Sequence, residues 1–446
     1  MKDESTSYGP LVNKGYRPRI VEGRIRESLE DFGAVCIEGA KYCGKTWAAQ
    51  ALAESQIDLA DPAGNFQNLE VASLDPVTAL MGASPRLVDE WQEAPLLWDG
   101  VRNAVDSSGK ARTFILTGSS IPKRHTETLD GTAVDGSPRH SGVGRIEKIR
   151  MRTMTLAESG ESVASVSLKG LLAGDSPSAT APQSTLSDIS ELVARGGWPA
   201  VTSKNSERAQ RVARSYLREV CWRDISRIDG TSRDPDKVSR LLHSLARNAE
   251  QATKSKTIIA NMTETATEPA LAAETVTDYL QALKRMLVVE EIRPWAPRLR
   301  STLRINKRPK YHFVDPSLAV AALRTSAQRL TGDLETLGFL FECLCVRDLL
   351  VYAQAMDAQV YYYRDQAGLE MDAVIETADG LWAGIEVKLG HNQADAAAGN
   401  LLTISRKIVA AGGSEPAFLA VIEGLGSFAY RRDDGVLVIP IRTLGP

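Results

Sequence analysis

The spacing of apolar residues changes several times along this chain, and each change predicts a different element. Gly33-Ala-Val-Cys-Ile-Glu38 is a short apolar run bounded by glycines, the pattern of a strand buried in a parallel sheet. Trp47 to Ser55, built on Ala, Gln, Leu and Glu, reads as a helix. Further strands are expected at Pro85-Arg-Leu-Val-Asp-Glu90 and Thr113-Phe-Ile-Leu-Thr117. From Leu186 to about Arg227 the period turns helical, with Val212, Tyr216, Val220 and Ile225 near helical spacing. Val238, Leu241, Leu242 and Leu245 fall at i, i+3, i+4 and i+7, as do Val276, Tyr279, Leu280 and Leu283, so each set makes one apolar stripe. Val288 to Ile292 reads as a strand. In the last third, a helix opens at Gly338-Phe-Leu-Phe-Glu342, and strands are expected at Val360–Arg364, Gly368–Asp372 and Ala383–Lys388. Residues 161–187 are rich in Ser, Ala, Gly and Pro and poor in aromatic residues, which predicts a mobile linker.

Chemistry gathers where these patterns break. Directly after the first strand comes Gly39-Ala-Lys-Tyr-Cys-Gly-Lys-Thr46, which fits G-x-x-x-x-G-K-[ST] at every fixed position between a strand and a helix. A polyphosphate needs converging backbone N–H groups and a helix N-terminus, and glycines let the backbone come close. In such a loop Gly39 and Gly44 give that freedom, Lys45 reaches the β- and γ-phosphates, and the Thr46 hydroxyl is a ligand to Mg2+. The plain alternative is a glycine turn. A second part should follow, an acidic pair at a strand end, with one carboxylate for Mg2+ and one for the attacking water. Asp89-Glu90 can supply it, although acidic pairs usually lie on solvated faces. Gly118-Ser119-Ser120 either turns a hydroxyl toward the ligand crevice of an open α/β sheet or forms a β-turn.

Composition narrows the partners. A chain of 446 residues suggests about three domains. Lys plus Arg at 53 against Asp plus Glu at 56 leave a net charge of -3, so attraction to nucleic acid must come from a local patch. From Arg293 to Lys310 there are seven cations (Arg293, Arg298, Arg300, Arg304, Lys307, Arg308 and Lys310) and no acid, with Trp295 among them. Such a run can grip DNA phosphates or can be a solvated hairpin. Five cysteines without framework spacing suit a reducing compartment, and no stretch approaches a bilayer span, so a cytoplasmic protein without membrane contact is expected. Cys343 and Cys345 are expected in the core, and His125, His140, His243, His312 and His391 are too scattered for a metal or Ser-His-Asp site.

The phosphate-loop residues, Leu87-Val-Asp-Glu-Trp-Gln92, Leu116-Thr-Gly-Ser-Ser120, Ser141-Gly-Val-Gly-Arg-Ile146, Met151-Arg-Thr-Met-Thr-Leu-Ala-Glu-Ser159 and Gly196-Gly-Trp-Pro199 occur in an order that resembles the prokaryotic AAA-type ATPases carrying a C-terminal domain of unknown function. The resemblance covers most of the chain. It implies ATP and Mg2+ as cofactors, with Gly39, Cys43, Gly44, Lys45, Thr46, Trp47, Asp89 and Ser119 around the nucleotide. Thr46 and Asp89 would lie on the metal side, Glu90 would activate water and Ser119 would be a sensor. Arg145 is the arginine put forward to reach a phosphate, since guanidinium binds phosphate bidentately; its bland reading is a surface residue. Trp91 stands where the family more often has an aliphatic residue, and Lys41 and Tyr42 are less usual in the loop. AAA-type relatives often assemble, so a homo-oligomer is a further expectation.

In the C-terminal third, alternation along a strand puts Glu386 and Lys388 on one face. Asp372 on a preceding strand can join Glu386 to hold a divalent cation, with Glu342 completing the ligands and Lys388 stabilising charge or the attacking water. An acid on a helix, an acid on a strand and then acid-x-lysine resembles the restriction-endonuclease-like nucleases; the alternative is a salt-bridge cluster. The expected fold is α/β throughout: a P-loop parallel-sheet ATPase core (1–160), a linker (161–187), a helical lid (188–235), a winged-helix domain (236–305) and a restriction-endonuclease-like domain (306–446). Two functions fit: an ATPase coupled to a DNA- or RNA-acting nuclease-like module, or an ATP-dependent switch that binds DNA or a protein without cleaving.

Overall fold

The computed structural model describes residues 8–120, 140–262, 272–297 and 308–446. His125 and, from the basic run, Arg298, Arg300, Arg304 and Lys307 lie outside the described residues. The chain forms two compact units, the first reaching to Arg152 and the second holding most of the chain beyond it.

The first unit is built on a five-stranded sheet in the order β2-β3-β4-β1-β5. Its strands are β1 (Ala34–Glu38), β2 (Ser55–Asp58), β3 (Arg86–Asp89), β4 (Phe114–Gly118) and β5 (Ile146–Arg150). All neighbours are parallel. β1 and β4 are buried at every position, which is why their sequences run apolar without alternation. One side of the sheet rests on a core containing Val88, Trp91, Leu97, Trp98, Val101 and Leu116. Trp91, the unusual residue after the acidic pair, packs there with its ring 4.9 Å from that of Trp98.

The second unit carries a seven-stranded mixed sheet in the order β10-β11-β12-β13-β15-β14-β7. Its strands are β7 (Ala179–Thr180), β10 (Gln359–Arg364), β11 (Glu370–Glu376), β12 (Trp382–Lys388), β13 (Phe418–Glu423), β14 (Phe428–Arg431) and β15 (Leu437–Pro440). β10, β11 and β12 are antiparallel neighbours, and β13 then lies parallel to β12. The helices Leu334–Gln354 and Ala394–Ala410 pack against this sheet. Two smaller pairs complete the unit: β8 (Val289–Ile292) with β9 (Lys310–Phe313), antiparallel, and β6 (Val166–Ser167) with β16 (Leu444–Gly445), parallel.

Three expectations are corrected here. Residues 161–187 are no linker: β6 and β7 both pair with C-terminal strands, and Val166, Leu168 and Leu171 are buried. A short strand needs few residues and tolerates Ser and Gly beside it, so composition hid it. The helices Leu186–Arg195 and Ser206–Glu219, expected as a lid on the first unit, pack instead on Pro316–Ala322 within the second. Gln210 fastens them, donating to Ala194 O at 2.6 Å and Ser317 O at 3.0 Å. The unit boundary therefore falls near Arg152 rather than residue 160, and the amide of Leu156 already donates to the buried Asp348 carboxylate at 2.9 Å. Between 235 and 313 the helices Pro235–Arg247, Ser255–Ala260 and Ala273–Arg285 precede the β8–β9 pair.

Candidate functional site

In a parallel sheet all strands end on one edge, so Glu38, Asp89 and Gly118 close their strands on the same side. The chain leaves β1 there, turns through 39–44 and starts the helix Lys45–Leu52. Two glycines are required. Gly44, at φ 104°, is in a left-handed conformation that side chains rarely adopt, and a Cβ on Gly39 would lie 2.3 Å from the Met151 carbonyl oxygen. Lys45 is 4% exposed, and its ammonium donates to the carbonyls of Gly39 and Ala40 at 3.0 Å each. Arg19 braces the loop from outside, donating to Cys43 O at 2.8 Å and Arg152 O at 3.0 Å. The sequence offered no signal for that role.

The Thr46 hydroxyl donates to the Asp89 carboxylate, 3.0 Å from one oxygen and 3.1 Å from the other. Thr117 Oγ1 donates to Asp89 as well and accepts from the Glu90 amide at 3.1 Å. Burial, reinforced by the neighbouring Glu90 charge, raises the Asp89 pKa against the opposing pull of Thr117 and Thr46. Glu90 stands in a left-handed backbone conformation at φ 55°. Its carboxylate accepts from Ser119 Oγ at 3.1 Å and from Gln92 Nε2. Thr117 and Gln92 escaped the sequence reading because a threonine inside an apolar strand and a glutamine after an acidic pair are ordinary residues.

Cys43 is buried, with its thiol toward Met151 O, and Trp47 is half exposed. Arg145 is a correction. It precedes β5 at the edge opposite the glycine loop, where it donates to Asp106 at 2.7 Å. The parallel register puts Arg150, not Arg145, beside Glu38 at the loop edge.

The second unit gathers the other predicted residues. Lys388 Nζ lies 2.8 Å from Glu386 and 3.6 Å from Asp372, and the Val387 amide donates to Asp372 at 2.8 Å. Asn400, on the helix Ala394–Ala410, donates to Glu386. Glu342 joins the cluster through a lysine that was assigned elsewhere: Lys310, 1% exposed, lies 2.9 Å from Glu342 and 2.7 Å from Glu370. Burial alone would lower the Lys310 pKa, but Glu342, Glu370 and Asp372 outweigh it and hold the ammonium firmly protonated. Burial raises the Glu342 and Glu386 carboxyls above their usual range.

The basic run is corrected accordingly. Lys310 is committed to buried carboxylates, and Trp295 is 3% exposed with its ring 4.8 Å from that of Trp382. Neither is available to nucleic acid; Arg293 and Arg308 are exposed.

Together these observations define an α/β protein with an all-parallel sheet, a glycine loop at its carboxyl edge and a separate acid–lysine cluster on a mixed sheet. Residues 186–329 match the model of a domain of unknown function (DUF8612), and residues 337–444 match another (DUF4143). Uncharacterized protein Rv2008c of Mycobacterium tuberculosis and Uncharacterized protein Mb2031c of Mycobacterium bovis are each 24% identical over 372 residues, 83% of this chain and 73% of theirs. Among solved structures, the Walker-type ATPase PABY2304 of Pyrococcus abyssi is similar at 15% identity and TM-score 0.41, over 70% of this chain and 97% of that one. AMPPCP-bound DnaA of Aquifex aeolicus is similar at 14% identity and TM-score 0.21, over 58% and 86%. Similarity at this level does not carry a function across. Among the described residues no helix is long and apolar enough to cross a membrane.

Proposed function

We propose that the first unit binds Mg-ATP and hydrolyses it. The observation that carries this reading is the pair formed by the Thr46 hydroxyl and both oxygens of Asp89 at 3.0 and 3.1 Å, at the start of the helix behind the glycine loop. A hydroxyl and a carboxylate held together suit Mg2+, which takes one or two protein oxygens beside phosphate and water. The metal, when bound, neutralises charge on the β- and γ-phosphates. Lys45 would exchange its two loop carbonyls for phosphate oxygens. Glu90, oriented by Ser119 and Gln92, takes the proton from the attacking water as its oxygen bonds to the γ-phosphorus and the bond to the leaving ADP oxygen breaks. Lys45→Ala is expected to abolish ATP binding, and Glu90→Gln to keep binding but lower turnover about 100-fold or more. Unchanged ATP affinity in Lys45→Ala, measured by calorimetry, would reject the assignment.

A nuclease-like reading has Asp372, Glu386 and Glu342 hold a divalent cation and Lys388 stabilise charge; its support is the closeness of Lys388 to Asp372 and Glu386, while Glu342 is turned to Lys310 and the three carboxylates do not converge on one point. Four carboxylates meet a buried lysine, Lys310, and a half-buried one, Lys388, there, with Arg364 reaching Glu370 from the exposed side at 3.6 Å. A divalent cation would relieve the excess negative charge. One observation favours the non-cleaving switch instead: Lys310 already neutralises Glu342 from inside the protein. Incubating labelled DNA or RNA with the protein and Mg2+ or Mn2+, beside Lys388→Ala, separates the two. Cleavage that vanishes in the variant supports the nuclease, and cleavage that survives it belongs to another site. The three helices and the β8–β9 pair support a winged-helix reading, through which Arg293 and Arg308 could meet nucleic-acid phosphates.

A further inference from the structure

Three residues given no role by the sequence meet in the interior of the second unit. Glu250 follows the helix Pro235–Arg247 in a left-handed turn at φ 57°, His312 lies on β9, and Cys343 lies on the helix Leu334–Gln354. They are 2%, 0% and 0% exposed. His312 Nδ1 is 2.5 Å from Glu250 Oε1 and 3.7 Å from Cys343 Sγ. One donor atom from each lies within 4.8 Å of the others.

We propose that Glu250, His312 and Cys343 form a buried zinc site that ties the turn after Pro235–Arg247, strand β9 and the helix Leu334–Gln354 together. Carboxylate, imidazole and thiolate are the donors that Zn2+ takes in tetrahedral sites, with Zn–S about 2.3 Å and Zn–N about 2.0–2.1 Å. Those lengths at a tetrahedral angle place sulfur and nitrogen about 3.6 Å apart, close to the observed 3.7 Å. The Glu250 oxygen sits nearer to Nδ1 than two ligands of one ion would, at a hydrogen-bond distance, and withdraws by roughly 0.9 Å on metal binding. Its second oxygen, Oε2, is buried with no hydrogen-bond partner, and bidentate binding through it supplies the fourth position.

Charge favours the same species. Zinc displaces the proton of the Cys343 thiol and takes the Nδ1 lone pair of a neutral His312 whose ring proton sits on Nε2, leaving thiolate, carboxylate, neutral imidazole and a dication, which sum to zero in a dry interior. Without a cation the Glu250 Oε2 oxygen is left buried with no partner. The site is closed to solvent, as structural zinc sites are, so loading accompanies folding. Its ligands come from both matched segments, Glu250 and His312 from the first and Cys343 from the second.

The test uses the full chain, purified without chelator from zinc-supplemented medium. About one equivalent of zinc per chain is expected by elemental analysis, and exchange to Co2+ should give the near-ultraviolet thiolate-to-cobalt charge-transfer band. Cys343→Ser is expected to lose that band and Glu250→Gln to bind zinc more weakly. Stripping the wild-type protein should lower its melting temperature, with recovery on adding Zn2+ but not Mg2+, a readout that stands even where a variant fails to fold. Absence of zinc with a melting temperature indifferent to chelation overturns the proposal, as does a cobalt–thiolate band that persists in Cys343→Ser.

Discussion

Asp89 is held by two hydroxyls in a place where burial resists its ionisation. Its raised pKa means that the neutral acid forms at a pH above the roughly 3.9 of an ordinary aspartate. Because Mg2+ needs the carboxylate, Mg-nucleotide affinity should decline on acidification at a pH above that at which an ordinary aspartate titrates. Titrating affinity against pH checks this, with Asp89→Asn expected to bind weakly and show no such step. Lys310 makes the opposite demand. Its ammonium is the buried counter-charge of Glu342, and removing one member of such a pair leaves an uncompensated charge. Lys310→Met should therefore cost about 3–5 kcal/mol in denaturant unfolding at neutral pH. Because the Glu342 carboxyl is already raised by burial, losing Lys310 raises it further, so the deficit should shrink as the pH falls and Glu342 takes up a proton. A deficit below about 1 kcal/mol would place the pair in the class of weak surface bridges.

Strands and helices were legible to different depths. β1, β3 and β4 could be read because each is an apolar run with glycine, proline or an acid at its end, and the loop after β1 is a motif with fixed chemistry. Glu386 and Lys388 could be paired because strand geometry alone puts alternate side chains on one face, which the 2.8 Å contact bears out. What could not be read were contacts between distant segments. β6 and β7 are two residues each and are made strands by partners more than 200 positions away. Lys310 looked like one more cation in a basic run, and only the meeting of β9 with the helix Leu334–Gln354 makes it a counter-ion. Because 161–187 packs rather than dangles, Leu168→Ala, at a position 1% exposed, should lower stability by about 2–5 kcal/mol. A true linker would tolerate the change with no shift in the unfolding midpoint.

At the scale of the whole chain, coupling and switching differ in what nucleic acid does to turnover. A coupled ATPase should hydrolyse several-fold faster when DNA or RNA is added. A switch should keep its rate while Mg-ATP changes its affinity for the nucleic acid. Steady-state phosphate release with each polymer, beside binding measured with and without nucleotide, decides between them. The strand β9 also limits how this protein can have been assembled. It sends Lys310 and His312, two positions apart, to the neighbouring residues Glu342 and Cys343. The seam between the two matched segments is thus stitched from one strand by an ion pair and a thiol–imidazole contact. A cassette cut between 329 and 337 and moved into another protein would carry bare interior acids with it, so these segments are expected to be inherited as a pair and to change in step.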